Sequence, residues 1–149
     1  MGVKRVINTD FWKDDVVAER YSAEDRYFML YLLTNPNTKQ CGIYHLPIRV
    51  IAFEMGYSND TVRSILNRFI TRYKNIIYNY DTQEVAILNF LKHSIVKGGK
   101  PVEDCIRKEL SLVKETSLIF SVYEHIKPHI DKEKAIKKKS MYVGIENIY

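Results

Sequence analysis

Between Ser58 and Lys74 the chain carries Asn59, Asp60, Arg63, Ser64 and Asn67, interleaved with Val62, Ile65, Leu66, Phe69, Ile70 and Tyr73. The apolar steps of three and four are those of a helix with one buried side. With that side turned inward, the polar set faces out. Its residue types suit nucleic-acid base edges. A guanidinium matches guanine O6 and N7 bidentately, and a carboxamide matches the donor–acceptor edge of adenine. Arg63 is the leading base-reading candidate, with Asn59 and Asn67 beside it and Ser64 on the same face. Ser58 and Thr61 sit where a helix N-terminus offers backbone N–H groups to a phosphate. Arg49, Arg68, Arg72 and Lys74 can neutralise flanking phosphates. Each of these cations alone suits an ordinary solvated face equally well, and the cluster at one helix end favours the phosphate reading.

These side chains need a frame. Pro47 falls where the first turn of a preceding helix would start, a place that tolerates its missing N–H. Ile48, Ile51, Ala52 and Met55 mark one face of that helix, and Gly56 supplies a left-handed stop. Ser58-Asn59-Asp60 caps the next helix. Two helices joined by Gly56-Tyr57-Ser58 make a helix-turn-helix candidate. Upstream, Ser22 caps a buried helix through Tyr27–Leu33, closed by Asn35-Pro36-Asn37. Cys41–Leu46 reads as a short strand. Downstream, 75–80 and 84–90 are β-rich, with Asp81-Thr82-Gln83 as the turn. The order helix–strand–helix–helix–strand–strand predicts an α+β, mainly helical fold of winged-helix type. Residues 6–21 read as an arm or short helix anchored by Trp12, which can also serve as a dimerisation arm. The expected division is 1–96 for the winged helix with its arm, 97–100 for a linker, 101–127 for one further helix ending before Pro128, and 128–149 for a lysine-rich tail.

Two features pull against a simple duplex-binding picture. The expected wing tip, Asp81-Thr82-Gln83-Glu84, is acidic and should be repelled by phosphate, so it is free to support the core or meet a partner protein. Lys132, Lys134, Lys137, Lys138 and Lys139 fit either a non-specific DNA contact or a solvated tail.

Catalytic chemistry finds little to stand on, and no enzyme is expected. His45, His93, His125 and His129 have no carboxylate or cysteine at metal spacing. His125 and His129 are four apart, but Pro128 is expected to interrupt their helix. Gly98-Gly99-Lys100 lacks the leading glycine of a phosphate loop, and Pro101 replaces its Ser or Thr. There is no nucleophile motif and no dinucleotide fingerprint, and no cofactor or metal is expected.

Composition narrows the class. Hydrophobic residues make up 46% of the 149, enough for a real core. Eleven tyrosines fit half-buried strands, helix margins or a contact surface. The net charge of +5 favours polyanionic partners only slightly. Cys41 and Cys105 form neither a disulfide framework nor a zinc signature, so a reducing cytoplasm is the expected compartment. Met1-Gly2-Val3-Lys4-Arg5 leads into no long apolar run, so neither a signal peptide nor a membrane span is expected. Val6 replaces the Ser or Thr of a myristoylation signal.

Several stretches resemble one family. Ile7-Asn8-Thr9-Asp10-Phe11-Trp12-Lys13-Asp14-Asp15 is similar to the opening of phage and prophage replisome organisers, the replication-initiation proteins. So is Leu30-Tyr31-Leu32-Leu33-Thr34-Asn35-Pro36-Asn37-Thr38 with Gly42-Ile43-Tyr44 after it. Ile51–Tyr57 resembles the family's helix-turn segment, and Ile87–His93 its last strand. The likeness covers roughly 4–110, and Leu-Leu-Thr-Asn-Pro is its most specific block. It implies a winged-helix N-terminal domain, DnaD-like in architecture, that binds double-stranded origin DNA or self-associates into a homo-oligomer. It also implies a C-terminal region that engages a helicase loader or helicase, in the cytoplasm of a bacterial host. The sequence ends at Tyr149, with less chain than a second full domain needs. A transcriptional regulator on the same fold, or a self-association module that does not bind DNA, stays open, because fold does not decide function.

Overall fold

The computed structural model describes residues 2–95, 99–135 and 148–149. It is an α+β fold. Among those residues are seven α-helices, a three-stranded antiparallel sheet and a two-stranded one.

The chain opens with β1 (Val6–Ile7), a 3-10 turn over Thr9–Lys13, and α1 (Asp15–Glu19). Asn8 caps the 3-10 turn by accepting from the Asp10 N–H. This turn phases the arm one residue away from expectation. Phe11, only 1% exposed, is the anchor, and Trp12, 56% exposed, lies outside it, edge-on to the Phe11 ring. Phe11 also meets the His93 ring edge-on. Burial, with Lys92 beside it, pushes His93 down to about 4 against the pull of Asp14, so it is neutral at pH 7. β1 pairs antiparallel with β5 (Ser94–Ile95), tying the arm to the end of the sheet region.

α2 (Ala23–Thr34) begins with a full capping box. Ser22 Oγ accepts from the Asp25 N–H, and the Asp25 carboxylate accepts from the Ser22 N–H. Its apolar run buries Phe28, Met29, Leu32 and Leu33, and Asn35 ends it before Pro36. β2 (Ile43–His45), β3 (Ile76–Asn79) and β4 (Glu84–Ile87) form a sheet in the order β2-β4-β3, with Val85 opposite both Tyr44 and Tyr78.

α3 (Ile48–Met55) buries the four residues its spacing marked, and Pro47 stands one place earlier than expected, as the N-cap. α4 (Asn59–Arg68) buries Val62, Ile65 and Leu66, then widens into a π turn over Phe69–Tyr73, closed by left-handed Lys74. A π turn takes in one extra residue and rotates the chain beyond it. Tyr73 is thereby carried back to α2, where its hydroxyl donates to Asp25.

Three further expectations are corrected. Phe90 leaves the last strand and starts a short helix, α5 (Phe90–His93). Glu84 is not at the hairpin tip. It lies in the central strand, 4% exposed, and its carboxylate accepts the backbone N–H groups of Lys114 and Glu115. Burial opposes the charge, but those two N–H donors outweigh it and hold the carboxyl below its usual range. The third concerns the helix expected over 101–127, which is two: α6 (Lys100–Ser111) and α7 (Ser117–Ala135). Glu84 takes the N–H groups that a continuous helix would have used at the break. Pro128 lies inside α7 instead of ending it, so 128–135 are helix and not tail.

The core is a single cluster running from Phe11 through the sheet to Ile106, Leu110, Leu118, Val122, Ile126 and Ile130. Lys97 and Gly98 of the expected linker, and Lys137, Lys138 and Lys139 of the expected tail, lie outside the described residues. Among the described residues no helix is long and apolar enough to cross a membrane.

Candidate functional site

α3 and α4 are set against each other by the turn between them. Gly56 adopts φ 82°, a left-handed conformation that glycine, having no Cβ, takes without crowding its own carbonyl. Ser58 then caps α4, its Oγ accepting from the Thr61 N–H at 3.1 Å and donating to Thr61 Oγ1 at 2.9 Å. Ser58 and Thr61 are thus engaged with each other, leaving the N–H groups of Asn59 and Asp60 at the open helix end.

Turning about 100° per residue, the polar side of α4 divides in two. Ser64 and Asn67, with Asp60, lie opposite Val62, Ile65 and Phe69 and are exposed. Asn59 and Arg63 lie on the flank next to Leu66, facing the β3–β4 hairpin. There they line a groove with Arg49 from α3 and with Tyr78, Tyr80 and Gln83 from the hairpin. Ile48 contributes an apolar wall. Tyr78 is buried, its hydroxyl donating to Leu46 O at 2.8 Å. Burial and the neighbouring Tyr80 push Tyr78 up to about 12, against the opposing charge of Arg63. Tyr80 is 56% exposed and meets the Tyr78 ring edge-on at 4.9 Å. Among the described residues, neither Arg49 nor Arg63 pairs with a carboxylate.

Arg68 is not part of either surface. Its Nη2 lies 2.5 Å from Asp25 and 3.1 Å from Glu24, on the α2 side of α4. Its candidacy as a phosphate contact is withdrawn, because the charge is already neutralised. Asp25 is 1% exposed. Burial works against its charge, yet hydrogen bonds from Tyr73, Arg68 and the Ser22 N–H outweigh that and hold the carboxyl below its usual 3.8. Arg72 and Lys74 are exposed at the far end of the helix, about 14 Å or more along the axis from Arg63.

The structure therefore brings Arg49, Asn59 and Arg63 together, sets Ser64 and Asn67 on a separate open face, and removes Arg68. Sequence reasoning missed Tyr80 and Gln83. The tyrosine excess pointed toward a contact surface but not to which ring stands clear. The hairpin tip is also less acidic than expected, since Glu84 is withdrawn and Asp81 remains.

The histidine pair also changes. Because α7 runs through Pro128, His125 and His129 share a helix, their ring centres 6.3 Å apart. Among the described residues no three His, Cys, Asp or Glu side chains group to hold a metal ion. No family model, curated protein or solved structure matches the chain.

Proposed function

We propose that this chain is a winged-helix protein that binds double-stranded DNA and helps assemble a replisome at the start of phage-type replication. One observation carries the DNA reading: the polar face of α4, with Ser64 and Asn67 exposed, lies beside two arginines that no carboxylate among the described residues neutralises. The element order α2–β2–α3–α4–β3–β4 supports the winged-helix assignment. In this reading α4 enters the major groove, Asn67 and Ser64 meet base edges, and Arg49, Arg63, Arg72 and Lys74 meet phosphates. The replication role, and with it a helicase loader or helicase as partner, rests on the family resemblance of Leu32-Leu33-Thr34-Asn35-Pro36 and its neighbours.

Anisotropy titrations at several salt concentrations test the reading. The probes are duplexes from the DNA that encodes this protein and its neighbours, against a random duplex. Affinity should fall log-linearly with salt. Asn67→Ala should weaken the preferred duplex by about 1–3 kcal/mol and the random one by less. Absence of duplex binding at low salt would overturn the proposal.

One observation favours self-association as a second reading. Phe53 is 89% exposed at the centre of the outward face of α3. A stable oligomer in solution that covers Asn67 and excludes DNA would select that reading.

A further inference from the structure

The groove between α4 and the hairpin differs from the open face of α4 in what it can hold. It is concave, walled on one side by Arg49, Asn59 and Arg63 and on the other by Tyr80 and Gln83. Among the described residues no carboxylate lines it. Two unneutralised guanidinium groups make it an anion site, and guanidinium suits phosphate oxygens bidentately. Tyr80 adds an exposed ring in the hairpin turn just past β3, edge-on to the ring of Tyr78.

An anion site beside an aromatic face matches one kind of ligand, a phosphate carrying a planar ring. In duplex DNA the faces of the bases are covered by their neighbours, so a duplex offers Tyr80 nothing to stack on. An unpaired nucleotide offers both parts, and base–aromatic stacking is the recurring device for holding single strands.

We propose that this groove binds a single nucleic-acid strand, with a backbone phosphate between Arg49 and Arg63 and an unpaired base stacked on Tyr80. Asn59 and Gln83 supply carboxamides at the two rims for the base edge or sugar. The site goes beyond duplex binding by the open face of α4. Arg49 and Arg63 also serve duplex phosphates in the proposed function, so duplex and strand compete for the groove, and dependence on Tyr80 marks the strand. Arg63 on this view is a phosphate contact and not a base reader.

The full chain, titrated with labelled twelve-nucleotide oligo-dU and oligo-U, tests this. Tyr80→Leu keeps apolar bulk and removes the π face, and should weaken strand binding about 5- to 100-fold. Tyr80→Phe should stay within about twofold of the unaltered protein, which separates stacking from any folding defect common to both variants. Arg49→Gln and Arg63→Gln should each lower the salt slope by about 0.7 on the strand. Binding of either oligomer with this dependence on Tyr80 supports the site, and the stronger of the two identifies the sugar. No strand binding at low salt, or equal affinities for Tyr80→Leu and Tyr80→Phe, overturns it. A duplex in the same titration reads the proposed function separately. Lost duplex binding with Tyr80-dependent strand binding would sink that function and leave this site standing.

Discussion

Asp25 is the residue on which the placement of α4 most depends. Its Oδ1 accepts from Arg68 Nε at 2.8 Å and Nη2 at 2.5 Å, and its Oδ2 from Tyr73 and the Ser22 N–H. One carboxylate thus ties the cap of α2 to the end of α4 and its π turn. Asp25→Asn would leave the partly buried Arg68 without its main counter-charge and should cost about 2–3 kcal/mol in urea unfolding. The folded carboxyl titrates below its usual 3.8. Its contribution is therefore complete above that value and lost as pH falls through the folded one. Asp25→Asn should flatten the acid limb of stability below about pH 4, with Glu84 and Asp14, whose carboxyls are also held below their ordinary values, supplying what remains of it. An unchanged acid limb would refute this account. The capping role of Asp25 was legible from Ser22 three residues before it. The pair with Arg68 was not, because 43 residues separate the partners and neither carries a mark of the other.

The elements are set by their ends, and two glycines show how differently. Gly56 ends α3 at φ 82°, and a Cβ there would meet nothing within 4 Å. Gly42, at φ 77°, leads into β2, and a Cβ there would come within 2.7 Å of Phe90 Cβ and 3.2 Å of Ile87 O. Gly56→Ala should cost only the left-handed backbone penalty, about 1–2 kcal/mol. Gly42→Ala adds a collision with α5 and should cost clearly more in thermal or urea melts. Equal losses would show that the close approach of Phe90 is not what requires glycine at 42. The stop at Gly56 could be read from its place after an apolar helical face. The demand at Gly42 could not, since it comes from a residue 48 positions away.

At the scale of the whole molecule, two carboxylates clasp the C-terminal helices to the rest. Glu84 in β4 accepts from Lys114 and Glu115 before α7, and Glu109 in α6 accepts from the N–H groups of Gln40 and Cys41 ahead of β2. Each clasp joins a charged acceptor to backbone donors, a bond worth about 1.5–3 kcal/mol. Replacing both by Ala should speed hydrogen exchange across 100–111 and 117–130, while 23–34 stay protected. Equal acceleration in α2 would show that the helices open only with global unfolding. Glu84 adjoins Gln83 and pairs with Asn79 beside Tyr80, so the variant that should leave strand and duplex binding little changed is Glu109→Ala alone.

The chain's own pattern determined α2, α3 and α4, the caps at Ser22 and Ser58, the α3–α4 turn, the hairpin and the polar side of α4, because periodicity and capping are local properties of a few adjacent residues. Only tertiary structure decided which side chains remain available. It made Phe11 and not Trp12 the anchor, gave Arg68 to Asp25, drew Glu84 out of the hairpin tip to break a helix thirty residues later, and turned Arg63 toward Tyr80. Those outcomes depend on which charges and rings meet across long stretches of chain. A one-dimensional pattern carries each residue's type and phase, and it is silent about the partner that folding brings to it.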